Sequence, residues 1–160
     1  MVNNFLILLC ILLAVIHHWI KRNQYSKKQI VDLYLSYFLF FTVGLVGLIG
    51  FISHVFYADQ TARMIGWAPG SPFQFEVGFH DGAWGLLGIL SLWIRDKFWL
   101  ATGLGWSFFM LGATYGHIHQ MAVHGNFAPY NAGIILFDLL IPIILLVLLY
   151  LKFVKFSSSR

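Results

Sequence analysis

Residues Ser71 to Leu90 read SPFQFEVGFHDGAWGLLGIL, an apolar run that carries Glu76, His80 and Asp81 within a few positions of one another. Ser71, Pro72 and Gln74 match an N-cap, a first-turn proline and an N3 glutamine, the capping-box arrangement, so a helix is expected to begin near Pro72. Beyond Asp81 the run stays apolar to Ile94, long enough for a membrane span. An ionisable side chain costs roughly 2.5 to 3.5 kcal/mol at the centre of such a span, so three in one helix require a local reason. Glu76, His80 and Trp84 follow i, i+4, i+8 on one helical face, while Gly78, Gly82 and Gly85 mark a neighbouring face where another helix can approach closely.

Working outward, the whole chain has the same solvent preference. Of its 160 residues 59% are hydrophobic and 10% charged, and the mean hydropathy is +0.78. A soluble domain of this length has no interior large enough for so much apolar surface, which points to an all-α, polytopic integral membrane protein with the lipid bilayer as its solvent. The net charge of +4 comes from short basic blocks between apolar runs. Such blocks set topology, and no nucleic-acid partner is read from them. Cys10 is the only cysteine, so no intrachain disulfide or CxxC pair exists. The first apolar run has neither a basic leader nor a small-residue cleavage site, and Leu9 before Cys10 argues against lipoprotein processing; it is expected to be retained.

Five spans are expected, at about 5–20, 31–57, 72–94, 98–124 and 132–153, in a single transmembrane domain over 1–160. Placing Lys21, Arg22, Lys27, Lys28, Arg95, Lys97, Lys152, Lys155 and Arg160 on the cytoplasmic side leaves only Arg63 outside, which gives an N-out, C-in orientation. A short interfacial helix is expected over ADQTARMIGW, and Gly125 is a suitable stop for the fourth span. Gly112 and Gly116 in GATYG offer the fourth span a groove matching Gly78, Gly82 and Gly85, so spans three and four are expected to pack together. These glycine faces also suit self-association or a membrane partner subunit.

This orientation collects the polar residues into one layer in the outer half of the bilayer: His54, Glu76, His80, Asp81, His117, His119 and Asp138. A transition metal is one reading, with Glu76, His80 and His117 as ligands and His54, Asp81, His119 and Asp138 as further ligands or supports. Haem is a second, held by His54 and His117 or by His80 and His117. Either cofactor would serve redox chemistry or electron transfer. A proton-coupled transporter or small channel would use the same residues without a cofactor. A non-catalytic accessory subunit would use them only as ties between helices. No HExxH or paired ExxH motif selects among these readings.

The phrases SPFQFEVGFHDGAWGLLGIL, FWLATGLG and YGHIHQMAVHGNFAPYNAG, with a following Asp-x3-Pro, resemble a family of small bacterial membrane proteins of unknown function. The resemblance spans Ser71 to Pro142. It implies a multi-pass bacterial membrane protein with Glu76, His117, Asn131 and Asp138 in family-like positions, and it implies no activity; the inner membrane is the expected location.

Overall fold

The computed structural model describes residues 2–156, and every element in it is helical. Arg160 and the serines before it, placed above in a cytoplasmic tail, lie outside the described residues. The order is α1 (Val2–Lys21), α2 (Lys27–Phe38), α3 (Val46–Phe56), α4 (Ala58–Ile65), α5 (Phe73–Leu90), α6 (Lys97–His124), α7 (Pro129–Ala132) and α8 (Ile135–Tyr150). A π-helical stretch, Leu39–Leu45, joins α2 to α3, and another, Leu151–Lys155, continues α8. Three helices are long and apolar enough to cross a membrane: Asn3–Lys21, Lys27–Phe56 and Pro129–Lys155. Helices α5 and α6 fill the positions expected for spans three and four.

The capping box lies in a different place from the one expected. Ser26 accepts from the Gln29 backbone N–H at 3.3 Å, and the Gln29 side chain accepts from the Ser26 N–H at 2.9 Å, so the second helix starts four residues before the expected Val31. At α5 the Ser71 hydroxyl accepts only from the Phe73 N–H, at 3.3 Å, and Gln74 turns inward, 2% exposed. Its amide is needed by the site described below.

Glycines set the helix pairing, with partners other than those expected. A Cβ on Gly47 would lie 2.7 Å from the Gly85 nitrogen, and one on Gly85 would lie 2.7 Å from the Leu48 nitrogen. Gly44 and Gly88 meet in the same way one turn further along. The stripe Gly78, Gly82, Gly85 therefore receives α3 and its preceding π stretch, because only glycine lets two backbones come this close. Gly112 and Gly116 have open space where a side chain would go. Contact between α5 and α6 is made instead by side chains, with Trp84 over Gly105 and the His80 ring 4.1 Å from that of Phe109. Helix α6 packs on α8, where Gly103 admits Leu149 and the Ser107 hydroxyl reaches the Pro142 carbonyl at 3.4 Å.

The core between these pairs holds Leu35, Leu39, Val43, Trp99, Leu145 and Leu149, all at most 2% exposed. Outside it Phe5, Leu8, Leu86, Phe108 and Val147 stand exposed. So many bare apolar side chains outside an apolar core are unlike a soluble protein's surface. One end of the bundle is tied by Lys152, 6% exposed, which meets Asp32 at 2.6 Å and Asp96 at 3.5 Å and lies 5.0 Å from the Trp99 ring centroid. Asp32 thus pairs across 120 residues of sequence, although a local partner such as Lys28 satisfies the sequence pattern equally well.

Candidate functional site

At the opposite end of the bundle the start of α1, the end of α3, the start of α5, the second half of α6 and the start of α8 enclose a cavity of about 670 Å³. Helices α4 and α7 cover it, joined by the Asn126 amide, which donates to the Ile65 carbonyl at 2.9 Å. Gly66 makes that junction possible: it ends α4 at φ 82°, and a Cβ there would strike the Asn126 side chain. Most of the wall is apolar, from Ile49, Val77, Met110, Phe137 and Ile141, while His54, Asp81, His117 and Asp138 each come from a different helix. Exposed Tyr115, Gly116 and His119 border the cavity where it meets the surface.

His117 is held by a neighbour that fixes its chemistry. Asn131, fully buried, donates through Nδ2 to two carbonyl oxygens, those of His117 at 3.2 Å and Asn126 at 2.8 Å. Carbonyl oxygens accept only, so this amide has one orientation, with Oδ1 toward the imidazole. The ring must then donate from Nδ1 to Asn131 Oδ1, at 2.7 Å. Neutral His117 is left with a lone pair on Nε2, which faces Asp138 Oδ2 at 3.9 Å. Two acceptors at that separation make no direct hydrogen bond.

His54 repeats the pattern on α3. Its Nδ1 lies 2.6 Å from Gln74 Oε1, which accepts the ring proton and leaves Nε2 as an acceptor. Buried amides thus orient two of the three histidines that border the cavity, His54 and His117. The π stretch adds Thr42 to the lining, its hydroxyl anchored on the Phe38 carbonyl at 2.7 Å.

The expected layer therefore converges in part. His54, Asp81, His117, His119 and Asp138 border one cavity, whereas Glu76 and His80 do not. Glu76 is exposed in the first turn of α5, because a helix whose glycine face takes α3 turns position 76 outward. His80 accepts at Nε2 from the Trp84 indole at 2.9 Å, and its Nδ1–H stops 3.6 Å from Asp81 Oδ1. The trio Glu76, His80 and His117 is not assembled, and among the described residues no group of three or more His, Cys, Asp or Glu side chains is placed to hold a metal ion. Sequence reasoning missed Gln74, whose position after Ser71 and Pro72 resembles a cap, and gave no role to Asn131 beyond its family-like position.

These features define an all-helical protein with membrane-length helices and a cavity, open to the surface, in which polar groups from several helices meet. The chain belongs to the family of unknown function DUF6790, which matches residues 1–155. No curated protein and no solved structure matches it.

Proposed function

We propose that the chain is a five-span protein of the bacterial inner membrane, N-out and C-in, whose cavity binds a lipid-soluble small molecule near the outer face. The observation that supports this most is the cavity of about 670 Å³ with an apolar wall and two amide-oriented imidazoles beside two carboxyl groups. Small-molecule sites have this character: mostly apolar lining for affinity and a few fixed polar groups for orientation. The cavity serves recognition, transport or presentation of its ligand, with His117 and Asp138 as the polar contact. Proton exchange at that contact is the second reading, favoured by the 3.9 Å gap between Nε2 and the carboxylate, which one proton donor could bridge.

The experiment is native mass spectrometry of protein released from a mild detergent, with elemental analysis and a visible spectrum on the same sample. A small molecule retained near one per chain, and lost when Ala113→Trp fills the cavity, is the expected result. Protein that is folded, carries nothing and takes up nothing from a total lipid extract would overturn the binding reading. A Soret band lost in His54→Ala and His117→Ala would replace it with haem.

A further inference from the structure

Beside hydroxyl and amide side chains such as Thr42, Ser53 and Gln120, the cavity holds four acceptors from four helices. His117 Nε2 is an acceptor because Asn131 takes the proton of the other ring nitrogen, and His54 Nε2 is an acceptor because Gln74 does the same. Asp138 faces His117 across 3.9 Å, and Asp81 borders the same space. No lysine or arginine is among the residues that line it, and the described lysines and arginines form no ion pair with either carboxyl group. Trp106, Phe109, Tyr115, Tyr130 and Phe137 contribute aromatic surface to the wall.

An acceptor pair too far apart to bond and too close to be independent calls for a donor between its members. Two carboxyl groups with no lysine or arginine partner, set in a mostly apolar wall, favour positive charge beside them. Aromatic faces suit the same charge, since a cation is attracted to the ring's negative face. A carboxylate or phosphate ligand would meet four acceptors and no cationic side chain.

Building on the binding reading above, we propose that the ligand is a lipophilic primary or secondary amine, held as its ammonium. One N–H is donated to His117 Nε2 and the charge lies against Asp138, while the apolar body packs on the aromatic wall. Each feature separates this ligand from a near relative. The acceptor pair rejects a quaternary ammonium, which has no N–H to donate. The carboxyl groups reject an alcohol of the same shape. The absence of lysine and arginine from the lining rejects an acid. The ammonium has two natural sources, a free lipophilic amine or the ethanolamine headgroup of a phospholipid. Both present the same N–H donors and charge.

The test uses the full chain in nanodiscs of phosphatidylglycerol, with binding followed by equilibrium dialysis. The probes are 4-phenylbutylamine, its N,N,N-trimethyl derivative, 4-phenylbutanol and 4-phenylbutyrate. The amine is expected to bind at least tenfold more tightly than each of the others. Asp138→Asn and His117→Phe should erase that preference, while Glu76→Gln, outside the cavity, leaves it intact. Because a substitution at the site can unfold the protein, the four-probe comparison on the native chain decides the matter without any variant. Equal binding of all four probes, abolished by Ala113→Trp, overturns the amine and leaves the binding reading standing. No binding of any probe, together with no retained molecule in the native mass spectrum, overturns both. Weakened amine binding when phosphatidylethanolamine is added supports the proposal with the headgroup as source, and unchanged binding supports it with a free amine.

Discussion

At the scale of single residues, the site depends on two amides that turn histidines into acceptors. Gln74→Leu keeps the size of the side chain but strands the His54 Nδ1–H beside apolar atoms, at a cost of about 1–3 kcal/mol. The expected result is a lower unfolding temperature in detergent and weaker ligand binding. Glu76→Gln, on the exposed side of the same helix, should change stability by no more than about 0.5 kcal/mol. Equal effects of the two substitutions would remove the amide from the account. Acidification acts on every titratable group bordering the cavity: His54, Asp81, Tyr115, His117, His119, Tyr130 and Asp138. Protonating an imidazole replaces an acceptor with a cationic donor, and protonating a carboxylate removes a negative charge. Both changes work in one direction, so amine binding should fall as pH is lowered, and a rise would contradict the acceptor assignment. Here the sequence was legible only in part. The orientation put His54, Glu76, His80, Asp81, His117, His119 and Asp138 at one depth, but depth does not state rotation about a helix axis, and Glu76 and His80 turn away from the cavity. Glu76 and Gln74 were therefore assigned to each other's surroundings, the carboxylate to the site and the amide to the helix end.

At the scale of elements, the distinction is between glycines that admit a backbone and glycines that admit nothing. Gly85→Leu places a branched side chain where α3 already lies and must separate α3 from α5, a cost in the range of overpacking, about 1–3 kcal/mol or more. Gly112→Ala meets open space and gains helix propensity of up to about 1 kcal/mol. Thermal unfolding of the two variants should therefore shift in opposite directions. If Gly112→Ala destabilises as much as Gly85→Leu, the pairing of α5 with α3 is wrong and the expected pairing of spans three and four returns. The glycine stripes themselves were plain in the sequence. Their partners were not, because Gly44 and Gly47 offer the stripe of span three a second match beside Gly112 and Gly116, and the choice depends on side chains such as Trp84 and Phe109 that keep α5 and α6 apart. The hidden capping box at Ser26 and Gln29 has a similar cause: two serine-led signals were present, and only packing shows which glutamine is free to turn back.

At the scale of the whole molecule, helices paired through glycine on one side and through α6 and α8 on the other leave a space between them at one end, while Lys152 ties Asp32 and Asp96 at the other. The all-helical fold and its membrane-length helices follow from hydropathy alone, since apolar runs of that length have no other stable solvent. The cavity does not, because volume is a property of how helices stand relative to one another. That cavity is also where the account is most directly exposed. The measurement is photolabelling of the full chain in nanodiscs by a small alkyl diazirine, with modified peptides located by mass spectrometry. Saturable labelling within Ala113–His117 and Phe137–Ile141, lost in Ala113→Trp, is the predicted result. Labelling confined to exposed side chains outside the cavity such as Leu8 and Phe108, without saturation and unchanged by Ala113→Trp, would contradict it.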